Sequence, residues 1–486
     1  MQPTILGLDV GTTAAKAVLF DLNGNELALS DRTYPLITPQ PGWAELEPQG
    51  IWQAVQEVIA EVTSQQPQDS HISAVGLSTQ GGTLIPADEA GNPVYNAITW
   101  LDQRAEPIVS AWRSQDLHRW IRERSGWSPQ AGLPLASLCA LRAQQPEIFS
   151  KIEAVFSVND FLNHLLTGVR CTNLSMAGEM LLVNIKSGLY DLDLLELAGI
   201  QPGMLSPIQP SDAACAYIKP DLCQRLGLPS ATPLINGGQD HACEALALGM
   251  TEPGATLLAC GTAWVINTVT DKPEVDIFPP EMALNAHVIP DRWIVSQYLG
   301  SFGAGFKWWH DQFWNVKTPR KDPFTDIDSA LATNYKKGTD IIYFPVSGTP
   351  RSGLSVGGFW GLRLDHTRED MGRAVLDSAA FELGLALEKL TELGRQTDEL
   401  WMVGGAAHSS IWPQILADAN QIPILLTQYH HGPALGAALL AGSAQGLLDN
   451  FPVWILSTRI DPEPNKAAKY HDKRNAYLVL LDKFLL

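Results

Sequence analysis

The sequence predicts an α/β protein made of two similar halves. Strand-like and helix-like patterns of apolar residues alternate along it, as they do in layered α/β folds. The layout of ILGLDVGTTAAKAVLFD (5–21) returns in TLLACGTAWVINTVTD (256–271), where Gly11, Thr12 and Asp21 correspond to Gly261, Thr262 and Asp271 at a constant offset of 250. A chain of 486 residues, 45% hydrophobic, is long enough for two to four domains whose cores need no metal or disulfide to hold them.

Taken in order, residues 4–10 read as a buried strand, followed by strands at 14–20 and 26–30 joined through Asn23-Gly24, a strong hairpin signal. Ile51, Val55, Val58, Ile59 and Val62 fall at helical spacing, and ISAVGL (72–77) forms another apolar strand. Residues 103–167 are mostly helical by pattern, with Gly168 as the stop signal, and 170–215 is an irregular stretch. After the repeat come a long helix at 368–394, the strand ELWMVGG (399–405), a helix after Ser409, a strand at 422–426 and a helix after Pro433. The repeat sets the expected boundary, with domains at 1–250 and 251–486. Trp308, Trp309, Phe313 and Trp314 read as core or interface aromatics, and His430-His431 lacks the further ligands of a metal site.

Acidic residues outnumber basic ones by 52 to 33, a net charge of −19, which argues against nucleic acid or an anionic membrane surface as partner. The six cysteines (139, 171, 215, 223, 243, 260) include no CxxC pair and no zinc-type spacing, so reduced thiols in a cytoplasmic protein are expected. The opening MQPTILGLDVG has no basic segment, and no apolar run approaches the ~18 residues of a membrane helix, so neither a targeting signal nor a membrane span is expected.

Three constellations carry chemistry. Asp9, Gly11, Thr12, Thr13 and Lys16 lie at a tight turn between two strands, where successive amides can cradle phosphate oxygens and a carboxylate can hold hydrated Mg²⁺. No Walker pattern is present, and a DxGT turn alone is common, but its recurrence at Gly261-Thr262 suggests a grip on a polyphosphate from two sides. Ala259 replaces Asp9 in the second copy, so only the first half has the metal carboxylate. In the second constellation, Gly237-Gly238-Gln239-Asp240-His241, Asp240 stands in a first helical turn, suited to a base that accepts a hydroxyl proton, although acids begin many helices. Gly404-Gly405-Ala406, the third, leaves room for a flat ring at a strand end, as packing turns also do.

Together these motifs resemble the FGGY carbohydrate kinases over about residues 4–445. The most specific piece is GGFWGLRLDHTREDMGRAVLD (357–377), similar to the family's C-terminal signature. DVGTTAAK (9–16), WLDQR (100–104), NDFLNHLLTG (159–168), GGQDH (237–241), CGTAW (260–264), FPVSGTPR (344–351), VGGAAHS (403–409) and GPALGAAL (432–439) follow in family order. The resemblance implies two ribonuclease H-like domains of the actin-like ATPase fold with a cleft between them, closing on ATP, Mg²⁺ and a sugar. Asp240 would be the general base and Asp9 the metal ligand. Gly11, Thr12, Thr13, Lys16, Gly261 and Thr262 would serve the phosphates, and Gly404, Gly405 and Ala406 the adenosine. Thr79, Gln80, Trp100, Asp102, Asp240 and His241 would meet the sugar. Glycerol kinases carry Arg-Glu where this chain has Gly81-Gly82, and xylulokinases Met-His where it has Thr79-Gln80. Ser137 and Ala140 replace the Lys and Trp of the N-terminal signature. A ketose such as a pentulose is the expected substrate. An actin-like nucleotide-binding sugar sensor without phosphotransfer and a kinase of another polyol or small hydroxy compound stay open, as does a homodimer.

Overall fold

In the computed structural model, residues 1–314, 331, 339–345, 357–427, 429–455 and 457–484 are described. The expected block at 344–351 therefore lies mostly outside the described residues. The chain forms two units, the first comprising Met1–Thr251, Asp271–Ile294 and His431–Trp454, the second Glu252–Thr270, Val295–His430 and Ile455–Leu486.

The first unit is built on a six-stranded sheet. Its strands are β1 (Gln2–Val10), β2 (Ala14–Phe20), β3 (Glu26–Thr33), β4 (Ser70–Thr79), β5 (Ala214–Tyr217) and β6 (Pro233–Gln239), in the order β5-β6-β4-β1-β2-β3. The meander β1-β2-β3 is antiparallel, and β1, β4 and β6 run parallel. At the β2–β3 turn Gly24 takes φ +81°, the left-handed geometry that Asn-Gly favours. Helix α1 (Pro48–Ser64) begins with proline in its first turn, and the five apolar residues expected on one face, Ile51 to Val62, are fully buried against Leu8, Ala17, Leu19 and Val75.

Another helix, Gly432–Ala444, packs against β1 and β4. Contact this close requires glycine in the sheet: a Cβ on Gly7 would stand 2.0 Å from the Ala434 carbonyl oxygen, and one on Gly76 2.0 Å from that of Ala437. The chain thus returns from the second unit to complete the first.

The helix Val158–Thr167 ends where glycine predicts, with Gly168 at φ +84°. It starts on a capping box in which Asp160 Oδ1 accepts from Ser157 N (2.6 Å) and Ser157 Oγ (2.5 Å), while Oδ2 accepts from Ser206 Oγ at 2.7 Å. The irregular stretch that follows carries a correction. Cys171 and Cys215, expected as free thiols, form a disulfide with Cα atoms 6.3 Å apart, while Cys139, Cys223, Cys243 and Cys260 are free and buried. Residue spacing gives no sign of this pair, because two cysteines 44 positions apart meet only in three dimensions.

The second unit repeats the plan. Strands β7 (Thr256–Cys260), β8 (Trp264–Thr270), β9 (Trp293–Gly300), β10 (Leu400–Val403), β11 (Ile424–Thr427) and β12 (Ser457–Ile460) lie in the order β9-β8-β7-β10-β11-β12. β7 is antiparallel to β8 and parallel to β10. The repeated hairpin is one residue tighter than its counterpart: Val10 pairs with Ala15, but Cys260 pairs with Trp264. Trp264, Phe302, Phe306 and Trp412 pack as an aromatic core, and Trp309 is fully buried beside Phe306, whereas Trp308 stays exposed. Helix α2 (Arg368–Glu392) opens on a Thr367/Asp370 capping box, and its buried Asp377 is bonded by Arg373 (2.7 Å) and Lys473 (2.5 Å). Among the described residues no helix is long and apolar enough to cross a membrane.

Asp160 makes the stability of the first unit pH-dependent. Burial raises its pKa from 3.8 to about 6 against the opposing hydrogen bonds of Ser157 and Ser206. Between these values the folded chain keeps a proton that the unfolded chain has lost, so this contribution is full below pH 3.8 and is lost as pH rises to about 6. Urea unfolding at pH 4.5 and 6.5 should show Asp160→Asn flattening that fall by up to ~2 kcal/mol. Equal pH slopes in the two proteins would count against the assignment.

Candidate active site

Three parallel strands of the first unit end in register. Asp9 of β1, Ser78 of β4 and Gly238 of β6 form one cross-strand row, and Val10, Thr79 and Gln239 form the next. Strand spacing of ~4.8 Å therefore brings the Gly11 turn, Gln80 and Asp240, each just past a strand end, to one sheet edge.

Asp240 is the first residue of the helix Asp240–Ala247. Gln239 performs two tasks there: its Oε1 accepts from Ala242 N at 3.0 Å, capping the helix, and its Nε2 donates to Asp240 Oδ1 at 2.7 Å. Asp240 Oδ1 also accepts from His241 N at 2.8 Å, and Oδ2 makes no hydrogen bond among the described residues. One oxygen is fixed by the chain and the other is not. His241, partly buried, faces Glu244 electrostatically.

Asp9, also partly buried, lies opposite Lys16 in the β1–β2 ladder, with Ser78 Oγ 3.5 Å from its Oδ1. Burial, then the carboxylates of Asp240 and Glu244, push its pKa up to about 7, with Lys16 opposing. Glu244, likewise raised to about 7 chiefly by burial, and Glu179, raised to about 8 by burial and Asp240, complete an acidic environment.

The turn at Gly11, Thr12 and Thr13 is braced by side chains that the sequence pointed toward sugar. Thr12 Oγ1 donates to Gln80 Oε1 (2.8 Å) and accepts from Trp100 Nε1 (3.0 Å), while Gln80 Nε2 donates to the Gly11 carbonyl (3.3 Å), as does the Tyr34 hydroxyl. Thr79 Oγ1 turns to Met176 Sδ at 3.4 Å. Asp102 is fully buried, and its carboxylate accepts from Arg104 Nε (2.8 Å), Arg104 Nη2 (2.8 Å), Arg104 N (2.8 Å) and Ala44 N (2.7 Å). Arg104 also bonds the buried Glu45 and stacks over Trp43 at 3.8 Å. In this structure Gln80 and Trp100 brace the turn, while Asp102 is engaged by Arg104 and Ala44 N.

Sequence reasoning passed over Gln239, although it stands inside GGQDH, and Glu179, whose only trace is the side-chain-free step Gly81-Gly82. A Cβ on Gly81 would lie 1.4 Å from Glu179 Oε2.

In the second unit the expected nucleotide residues are neighbours. β7 and β10 pair through Ala259 and Val403, so the Gly261-Thr262 turn and Gly404 leave adjacent strand ends. Gly404 has φ +96°, and a Cβ there would stand 2.8 Å from the Cys260 carbonyl carbon. Gly405 and Ala406 continue into a short 3₁₀ turn, Gly405–His408. Ala304 N donates to Thr262 O at 3.1 Å, tying the turn to the helix Phe302–Trp309.

A hairpin-led mixed sheet occurring twice defines the actin-like ATPase fold, a class of nucleotide-dependent enzymes and switches. The N-terminal domain of the FGGY family of carbohydrate kinases matches residues 4–247 and its C-terminal domain 257–445, so the chain belongs to the FGGY family of carbohydrate kinases. It is a sugar kinase that binds ATP. It is 27% identical to the gluconokinase of Bacillus subtilis (strain 168), over 93% of this chain and 89% of that protein. It is 29% identical to the L-xylulose/3-keto-L-gulonate kinase of Escherichia coli (strain K12), over 92% and 89%. The crystal structure of ligand-bound xylulose kinase from Lactobacillus acidophilus superposes with a TM-score of 0.90 at 26% identity, covering 99% of this chain and 98% of that one.

The Arg104 network should be structural. Arg104→Ala leaves Asp102 and Glu45 buried without their cation and should cost about 3–5 kcal/mol. Chemical denaturation checks this, and an unchanged midpoint would show that the two acids find other partners.

Proposed function

We propose that this chain transfers the γ-phosphoryl group of ATP to a hydroxyl of a ketose such as a pentulose, with Asp240 as general base. The observation that carries the reading is the half-engaged Asp240 carboxylate, fixed through Oδ1 by Gln239 and His241 N with Oδ2 unbonded among the described residues. A base needs one fixed and one accepting oxygen, because an unoriented carboxylate loses the advantage of position. In the reaction the acceptor hydroxyl gives its proton to Asp240 as its oxygen bonds to the γ-phosphorus, and the bond to the β,γ-bridging oxygen breaks with release of ADP. The relatives named L-xylulose/3-keto-L-gulonate kinase and xylulose kinase support a ketose, and gluconokinases show that the family also includes enzymes for acids.

Mg²⁺ fits the first unit. Among the described residues no cage of three or more ligands exists, but Mg²⁺ ordinarily takes one or two carboxylates beside water and phosphate oxygens. Asp9, crowded by Asp240 and Glu244 with Lys16 as counter-charge, has the chemistry of such a ligand. Bound there, Mg²⁺ would neutralise phosphate charge. Gly11, Thr12, Thr13 and Lys16 are the proposed phosphate contacts of the first unit. In the second, Gly261 and Thr262 are proposed for phosphates and Gly404, Gly405 and Ala406 for adenosine. Thr79, Gln80, Trp100, Asp102 and His241 would shape the sugar side directly or through the turn they brace. Use of ATP fits a cytoplasmic setting.

Asp240→Asn should fold and bind ATP yet lose on the order of 10²- to 10⁴-fold in turnover. Sugar-dependent ADP release measures it, and near wild-type turnover would move the base elsewhere. Asp9→Asn should raise the Mg²⁺ concentration needed for half-maximal rate and lower the maximum. A Mg²⁺ titration at fixed ATP checks this, and an unchanged curve would remove Asp9 from the metal site.

A further inference from the structure

We propose that Glu179 selects the acceptor by charge, admitting neutral polyhydroxy compounds and excluding aldonates. The inference rests on the sugar-kinase reading above and names the substrate class of the same site. Glu179 ends the short helix Leu174–Glu179 and is 8% exposed. Its Oε1 accepts a long hydrogen bond, 3.4 Å, from Asn285 Nδ2, which also donates to Ser175 O at 2.9 Å. Oε2 makes no hydrogen bond among the described residues. Oε2 is not among the fully buried, unbonded side-chain atoms, so it keeps the exposure through which a ligand hydroxyl can donate to it.

The place where Oε2 points is defined by what Gly81 lacks. A Cβ on Gly81 would meet Oε2 at 1.4 Å and Gln239 Cγ at 3.3 Å, and that same Gln239 holds Asp240 at 2.7 Å. Glu179, Gly81 and Gln239 are therefore contiguous, Gln239 holds Asp240, and the Glu179 and Asp240 carboxyls are near enough to act on each other electrostatically. Any larger residue at 81 would collide with the Glu179 carboxyl, which takes the space a side chain there would need.

Charge then decides what the neighbourhood accepts. The ionisable group that acts on Glu179 is Asp240, another acid, and the nearby Lys16 faces Asp9 and Glu244 instead. Ionised or protonated, Glu179 supplies no positive charge. A carboxylate on the acceptor would be desolvated beside two acids with no described cation assigned to it, and like charges placed together are strongly disfavoured. A hydroxyl instead donates to Oε2 and satisfies it.

The test compares kcat/KM for neutral ketoses (D- and L-xylulose, D- and L-ribulose) with kcat/KM for D-gluconate, using the full chain and ATP-Mg²⁺. The wild type should favour its best ketose over gluconate by on the order of 100-fold or more. Glu179→Gln, which keeps the shape and removes the charge, should narrow that ratio by about tenfold, mainly through KM for gluconate and with KM for ATP unchanged. A purely structural role would instead lower both substrates together. Calorimetric titration of the wild type with ketose and gluconate, without ATP, gives a second reading that needs no variant and should show heat for the ketose alone. Wild-type preference for gluconate, gluconate binding as tight as the ketose, or a ratio unmoved in a folded Glu179→Gln overturns this proposal while leaving the kinase reading intact. ADP release with neither class of acceptor overturns both.

Discussion

The chemistry of the first unit depends on the register of three parallel strands. Pairing Asp9 with Ser78 and Ser78 with Gly238 fixes where each chain segment leaves the sheet, so the turn after β1, the step after β4 and the helix after β6 emerge side by side. A slip of one residue in any pairing would turn the side chains to the opposite face. The register is protected from both sides, by the apolar face of α1 and by the helix Gly432–Ala444, which reaches the sheet because Gly7 and Gly76 carry no side chain.

Strand ends that meet in this way bring acids together. Asp240 acts on Asp9, Glu179 and Glu244, Glu244 also acts on Asp9, and burial adds to the cost of ionising those three. Such a concentration of negative charge opposes folding unless something positive or hydrogen-donating occupies it, a common signature of sites shaped for ligands rather than for stability. The acids around Arg104 show the opposite solution. There the guanidinium and two backbone amides engage the acids, and an indole face covers the guanidinium. Acidic residues of one unit thus divide into those satisfied by the protein and those left for a partner.

Much of the fold was legible along the chain. The strands at 4–10 and 14–20, the buried stripe from Ile51 to Val62, the stop at Gly168 and the helix from 368 all lie within a few residues of their expected positions. Each is written in local periodicity or in a glycine that only one backbone geometry accepts. The hairpin repeat was also visible, though not its tighter second turn, because residue identity fixes the offset and cross-strand hydrogen bonding fixes the register. Around the site, the GGQDH turn named Asp240, but nothing adjacent to it in sequence named Glu179.

The sequence by itself determined the alternation of elements, the two hairpins, the acids that stand at strand and helix ends, and membership of a family whose motifs follow one another in order. These properties depend on neighbours within one or two turns of chain. Tertiary structure alone decided that Cys171 meets Cys215, that Gln80 and Trp100 hold Thr12, that Asp102 is spent on Arg104, that residues 431–454 complete the first unit, and that Glu179 fills the space beside Gly81. Apart from the short-range Asp102–Arg104 pair, each joins residues separated by tens to hundreds of positions, and even that pair is buried only because distant segments close over it. Such contacts arise from packing, which no local pattern encodes.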